Sequence, residues 1–269
     1  MSPVQPLKQQ FRAGLEKSLN LIGLEAFIRT KSQKFDWLSF DKKMLSRYFR
    51  SGDPRVTLYQ EGLIKTKMES TDNFSKEQRF FILQQIVQQT IKNNILGDYV
   101  ECGCWRGHST YIIAKLLQRA GFKGTFHVFD SFEGGLSDKT NKDKNLRQEL
   151  TQQENLQEKL YFASTFEEVG NNLKEFPFVK LYKGWVPDRF PEVKDKNFAF
   201  VHVDVDLYQP TKDSLEFFYP RLKESGGIVV DDYGLSQFDG CQAAVDELLK
   251  ELRPKLFLEE PLGGCVIIK

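Results

Sequence analysis

The sequence predicts an α/β fold whose parallel strands alternate with helices, and three observations carry that expectation. Short apolar runs at Phe198 to Val203 and Gly227 to Val230 each end abruptly in aspartates, which is how strands buried on both faces read. Between them, Thr211 to Lys223 carries Leu215, Phe218 and Leu222 at helical spacing, with Pro210 before it and Gly226-Gly227 closing it, so the stretch is one β-α-β unit. Upstream, Tyr99 to Thr110 repeats the arrangement as a strand, a glycine turn and a helix. Together these describe a Rossmann-like doubly wound sheet, mostly parallel.

The 269 residues suffice for one large α/β domain plus an extension. With 38 basic and 37 acidic side chains, the chain is nearly neutral. That balance offers no footprint for nucleic acid and no steering toward acidic membranes. Cys102, Cys104, Cys241 and Cys265 form no C-x-x-C pair and read as reduced thiols. MSPVQPLKQQFRAG at the start lacks an apolar core of signal-peptide length, and no run is long enough to span a bilayer. A cytoplasmic protein without membrane attachment is the expectation.

Residues 1–74 are expected to form an N-terminal helical extension and lid, and residues 75–269 the catalytic domain. Leu15, Leu19, Ile22, Phe27 and Ile28 suggest amphipathic helices within Phe11 to Phe49, packed on the core or on a second copy of the chain as a homo-oligomer. Tyr59 to Asn73 reads as a connecting segment near the cleft. Ser75 and Gln78 make a capping box for a helix that carries Phe80, Leu83, Val87 and Ile91 and ends near Gly97. A strand ending at Glu101 meets Gly103 and Gly107, and Ile112, Ile113, Leu116 and Leu117 give the next helix an inner face. Cys104, Trp105 and Arg106 occupy the space that a dinucleotide fingerprint keeps clear, which argues for a nucleoside ligand lacking phosphates. Thr125 to Phe129 is a second strand, and Asp130 after it is placed to accept bonds from ribose hydroxyls. The glycine turn and Asp130 therefore point to adenosine. Ser131 to Gly135 leads into a polar stretch, Leu136 to Lys159, read as a mobile insertion or a lid. Phe166 to Phe176 is expected to be helical and Val179 to Tyr182 a strand. Gly184 and Trp185 follow, with Trp185 either stacked on an adenine or in the core. Gly240 to Leu252 completes the helices, and the Gly263-Gly264 pair joins two closing strands, Lys255 to Leu258 and Cys265 to Ile268, as a hairpin.

In open parallel sheets the ligand crevice lies outside the carboxyl ends of the strands. Asp204, Asp206, Asp231 and Asp232 sit there. Carboxylates gathered on neighbouring strand ends repel unless a cation lies among them, and an oxygen-only set suits magnesium, manganese or calcium. The alternative is a group of solvated aspartates, one of them capping the next helix.

With VECGCWRGHS, FDSFEGG, HVDVDLY, YPRL and GGIVVDDYG in place, the chain resembles the class I S-adenosylmethionine-dependent methyltransferases, and within them the macrocin O-methyltransferase family. That resemblance implies a metal-dependent O-methyltransferase using S-adenosyl-L-methionine and Mg2+ on a small-molecule hydroxyl, on a sugar of a glycosylated natural product. It implies that Glu101, Gly103, Trp105, Gly107 and Ser109 line the methionine end of the cofactor, that Asp130 holds its ribose, and that Ser131, Gly184 and Trp185 complete the cofactor site. Asp204, Asp231 and Asp232 would bind the metal, with Asp204 as the base and Asp206 its rival. The competing reading takes Asp204-Val205-Asp206 as the D-x-D motif of a sugar-nucleotide glycosyltransferase, which leaves Asp130 and the glycine turn unused.

Overall fold

The computed structural model describes residues 53–144 and 151–269. The helices expected within Phe11 to Phe49 lie outside the described residues, as does part of the polar stretch that begins at Leu136. The compact unit that holds the sheet runs from Leu58 to Lys269, so it begins well before the expected boundary at residue 75. Tyr59 to Asn73 is not a polar connector. Helix α1 spans Pro54–Lys65, and Leu58, Tyr59, Leu63 and Met68 are buried in the main core.

Helix α2 spans Phe74–Lys92 and is capped by Asn73, whose side chain accepts from the Lys76 amide at 2.9 Å. The cap expected at Ser75 is displaced because Asn73 stands at the right distance before the first free amides. Ser75 instead lies inside the helix and donates to the Leu262 carbonyl at 2.8 Å. The helix ends at Lys92, short of Gly97.

Beyond α2 the chain runs through β1 (Asp98–Cys102), α3 (His108–Arg119), β2 (Phe126–Asp130), α4 (Gln152–Tyr161), α5 (Phe166–Leu173), β3 (Val179–Lys183), β4 (Phe198–Val203), α6 (Tyr208–Arg221), β5 (Leu222–Val230), α7 (Asp239–Glu251), β6 (Leu256–Glu259) and β7 (Cys265–Ile268). The seven strands line up as β3-β2-β1-β4-β5-β7-β6. The first five are mutually parallel, and β7 runs antiparallel to both β5 and β6.

Strand alternation puts Tyr99 and Val229 on one face with Phe80, Leu83, Ile112 and Leu117. Val100, Ile228 and Val230 face the other way, against Leu215, Phe218 and Val245. Burial on both faces is why the central strands are continuous apolar runs rather than alternating ones.

Two boundaries differ from expectation. Helix α6 starts at Tyr208 and takes Pro210 into its first turn, where a proline forfeits no helical hydrogen bond. Gly226-Gly227 does not stop that helix: Leu222 already pairs with Phe198, and the ladder resumes at Gly227 opposite Phe200 across an irregularity. Around the polar stretch, Thr151 and Glu154 form a capping box for α4, whose Leu156, Leu160 and Tyr161 are exposed. The four cysteines are free and buried. No helix among the described residues is long and apolar enough to cross a membrane.

Candidate active site

The strand order reverses between β1 and β4, and β1 and β4 end side by side at Cys102 and Val203. Such a reversal opens a crevice at the carboxyl ends. The cleft there is lined by Gly103, Trp105, Asp130, Ser131, Trp185 and Asp204, with Phe162 and Asp206 among its other walls. It encloses about 680 Å³ of empty space, open solvent included.

Gly103 follows β1 directly and lies against the chain leaving β4. Its φ is 80°, and an added Cβ would lie 1.8 Å from the Asp204 carbonyl oxygen, so only glycine fits. Gly103 thus lines the cleft and also lets the β4 end approach. Asp130 closes the turn. One of its oxygens accepts from the amides of Cys104 at 2.8 Å and Trp105 at 3.1 Å, and the other from Phe132 at 2.9 Å. A carboxylate has lone pairs beyond these three.

Of the other expected cofactor residues, Trp185 is half-buried against the cleft rather than in the core, and Ser131 lines it too. Gly184 donates its amide to the Asp130 carbonyl at 3.0 Å, shaping the cleft from behind. Glu101, Gly107 and Ser109 are outside the lining. Glu101 is fully buried, accepting from Thr110 Oγ1 and pairing with His202 Nδ1 at 2.9 Å. Burial opposes a charged imidazole, but the bond to Glu101 outweighs it and raises the His202 pKa. Gly107 faces Val169 and Leu173 of α5, and Ser109 is buried in α3.

Asp204, which lines the cleft, and Asp231 and Asp232 behind it each offer an oxygen, and these atoms lie within 4.8 Å of one another. Asp231 and Asp232 are buried, while Asp204 keeps some exposure to the cleft. Burial, then the Asp231 and Asp232 carboxylates, push the Asp204 pKa well above the usual carboxylate range. Burial and Asp206 do the same to Asp232. Asp231 Oδ1 is buried with no hydrogen-bond partner. An unpartnered buried carboxylate oxygen facing two other carboxylates fits a hard divalent cation. Asp206 is outside this group; its amide donates to Asp232 Oδ2 at 3.2 Å. The converging set is therefore drawn from the ends of β4 and β5 and not from a D-x-D pair.

Sequence reasoning missed the groups facing this trio. Arg79 Nε donates to Asp231 Oδ2 at 3.0 Å. Lys76, one turn earlier on α2, is brought down to about 8 by burial, against the pull of Asp204 and Asp231. Glu260, beyond β6, is raised to about 8 by burial and Asp231. The spacing of Lys76 and Arg79 was the available sign, a basic pair on one helix face.

A sequence profile described as macrocin O-methyltransferase (TylF) matches residues 70–262. The chain belongs to the macrocin O-methyltransferase family. Among relatives, a demethyldecarbamoylnovobiocin O-methyltransferase of Streptomyces niveus is 31% identical over 170 residues, 61% of this chain and 63% of its own length. An 8-demethyl-8-(2,3-dimethoxy-alpha-L-rhamnosyl)-tetracenomycin-C 4'-O-methyltransferase of Streptomyces olivaceus is 31% identical over 173 residues, 61% of this chain and 62% of its own length. The chain thus spans under two thirds of the length of these relatives. The solved structure of the O-methyltransferase NovP superposes with a TM-score of 0.56 at 26% identity, covering 70% of this chain and 77% of that one. Membership of the macrocin O-methyltransferase family agrees with the sheet order and with the glycine turn at β1.

Proposed function

We propose that this protein is an S-adenosylmethionine- and divalent-metal-dependent O-methyltransferase whose acceptor is a hydroxyl on the sugar of a glycosylated natural product. The observation that carries the reading is the acidic trio, with Asp231 Oδ1 lacking a partner, whose member Asp204 lines the same cleft as Asp130. The acceptor class is supported by the rhamnosyl and novobiocin substrates in the names of its relatives.

S-adenosylmethionine, when bound, supplies an electrophilic methyl group on a sulfonium. The cleft fits its adenosine end: Asp130 offers remaining carboxylate lone pairs, and Trp185 and Phe162 offer ring faces. A divalent cation, when bound, supplies positive charge that lowers the pKa of an acceptor hydroxyl. Asp204, Asp231 and Asp232 would hold it. Asp204, the member open to the cleft, would take the acceptor's proton. Gly103 and Asp130 keep the turn and the β4 end in fixed register, which aligns the two substrates and replaces a bimolecular encounter by a local one.

The test is a thermal-shift comparison followed by a methyl-transfer assay. S-adenosylhomocysteine should raise the unfolding midpoint and sugar nucleotides should not. With S-adenosylmethionine and Mg2+, a panel of glycosylated natural products should yield a product heavier by one methylene, and chelation should stop it. Stabilisation by a sugar nucleotide alone would overturn the reading.

A further inference from the structure

We propose that Arg79 is a positioning residue for the acidic centre: its guanidinium holds one oxygen of Asp231 so that the other is presented to a divalent cation. The proposal rests on the metal-dependent reading above. Arg79 Nε donates to Asp231 Oδ2 at 3.0 Å, and the two side chains are 14% and 6% exposed. The remaining oxygen, Oδ1, is buried and unpartnered, and Asp231 is one of the three carboxylates that converge.

The contact is not the usual fork. A guanidinium facing a free carboxylate commonly engages both oxygens in parallel, as Arg55 does here with Asp53, at 3.0 Å from Nε to Oδ1 and 2.9 Å from Nη2 to Oδ2. Arg79 meets Asp231 through Nε alone, leaving Oδ1 unbonded, and the nitrogen on the opposite edge of the guanidinium is anchored separately. Its Nη1 donates to Ser75 Oγ at 2.9 Å, and Ser75 in turn donates to the Leu262 carbonyl at 2.8 Å. The stem passes beside Gly264, where an added Cβ would lie 3.5 Å from Arg79 Cδ and 3.3 Å from the Asp231 carbonyl oxygen. The guanidinium is thus pinned at two points, by a helix and a hairpin loop, and faces Asp231 with one edge.

A bare counter-charge would explain the proximity but not the pinning, because Ser75 has no charge to balance. Fixing a ligand through the atom that does not bind the metal is how partners outside a metal's own ligand set tune affinity.

The experiment is a Mn2+ titration of the full-length chain, followed by electron paramagnetic resonance, with S-adenosylhomocysteine affinity measured in parallel. Arg79→Lys keeps the charge and loses the planar pair of donors. Its Mn2+ dissociation constant should rise about ten-fold, while S-adenosylhomocysteine affinity stays at the wild-type value. Ser75→Ala, which frees Nη1 and leaves every charge in place, should shift Mn2+ affinity in the same direction by less, and provides the test should the lysine variant fold poorly. Wild-type Mn2+ affinity in both variants overturns the proposal and leaves the metal reading intact. So does tighter binding in Arg79→Met than in wild type, the signature of a mere counter-charge. Absence of Mn2+ binding by the wild-type protein overturns both.

Discussion

Asp98 at the amino end of β1, His127 of β2 and the Tyr182 hydroxyl from β3 form a chain of hydrogen bonds; at the carboxyl ends of β4 and β5, Asp204, Asp231 and Asp232 face one another. In the first cluster each partner is answered. Asp98 accepts from the Thr125 amide at 2.9 Å and pairs with His127 Nε2 at 3.1 Å, and His127 Nδ1 meets the Tyr182 hydroxyl at 2.8 Å. Burial works against the Asp98 charge, but the bonds from His127 and Thr125 outweigh it and bring its pKa below the ordinary carboxylate value. In the second cluster burial and like charge act together, and the pKa values of Asp204 and Asp232 go up. Satisfied polar groups knit three strands together; crowded like charges hold free energy that a bound cation or a proton releases. The contrast separates what this sheet needs to stand from what it needs to act.

The largest break should come from Asp204→Asn. Removing the carboxylate that opens to the cleft should cost about 10²–10⁴-fold in methyl transfer, measured in single turnover. The thermal midpoint of the metal-free variant should not fall, because one of three repelling charges is gone. Full activity would remove Asp204 from the chemistry.

Gly103→Ala probes the join between the clusters' strands. The new Cβ meets the Asp204 carbonyl oxygen at 1.8 Å in a left-handed backbone, so β4 must move. A loss of about 2 kcal/mol or more is expected in urea unfolding, with weaker S-adenosylhomocysteine binding. An unchanged midpoint would show that the turn tolerates a side chain.

His127→Ala should do the reverse of Asp204→Asn. It removes the partner of the Tyr182 hydroxyl and leaves Asp98 Oδ2 with the longer Lys196 contact at 3.6 Å, costing about 1–3 kcal/mol of stability, while turnover per folded molecule stays at the wild-type level. Lost turnover with unchanged stability would erase the distinction between the two ends.

Much of the carboxyl-end cluster was legible in the sequence. Aspartates directly after apolar runs mark strand ends, and parallel topology brings neighbouring strand ends together, so the convergence of Asp204, Asp231 and Asp232 follows from local pattern plus one general rule. The link from these aspartates to the basic residues that answer them was not legible. Arg79 and Asp231 are 152 positions apart, and nothing periodic links a helix before β1 to the end of β5. Glu101 shows the same limit: nothing in the sequence indicated that Thr110 and His202 would each bond one of its oxygens. The Asp98–His127–Tyr182 chain was equally hidden, because its members look like isolated polar residues inside three separate strands.

The smallest effect is the most specific to the comparison. Since the folded pKa of Asp98 is depressed, the unfolded chain binds more protons in acid. Its contribution is therefore full above the unfolded carboxylate value of about 4 and is lost as pH falls through the folded value. Because Asp98 is only partly shielded from solvent, screening shrinks the term. Comparing urea midpoints of wild type and Asp98→Asn on either side of that window should show a difference at neutral pH that narrows in acid. A gap independent of pH would mean that the hydrogen bonds from Thr125 and His127 matter through geometry alone, and that the charge on Asp98 does nothing to hold the amino ends of the strands.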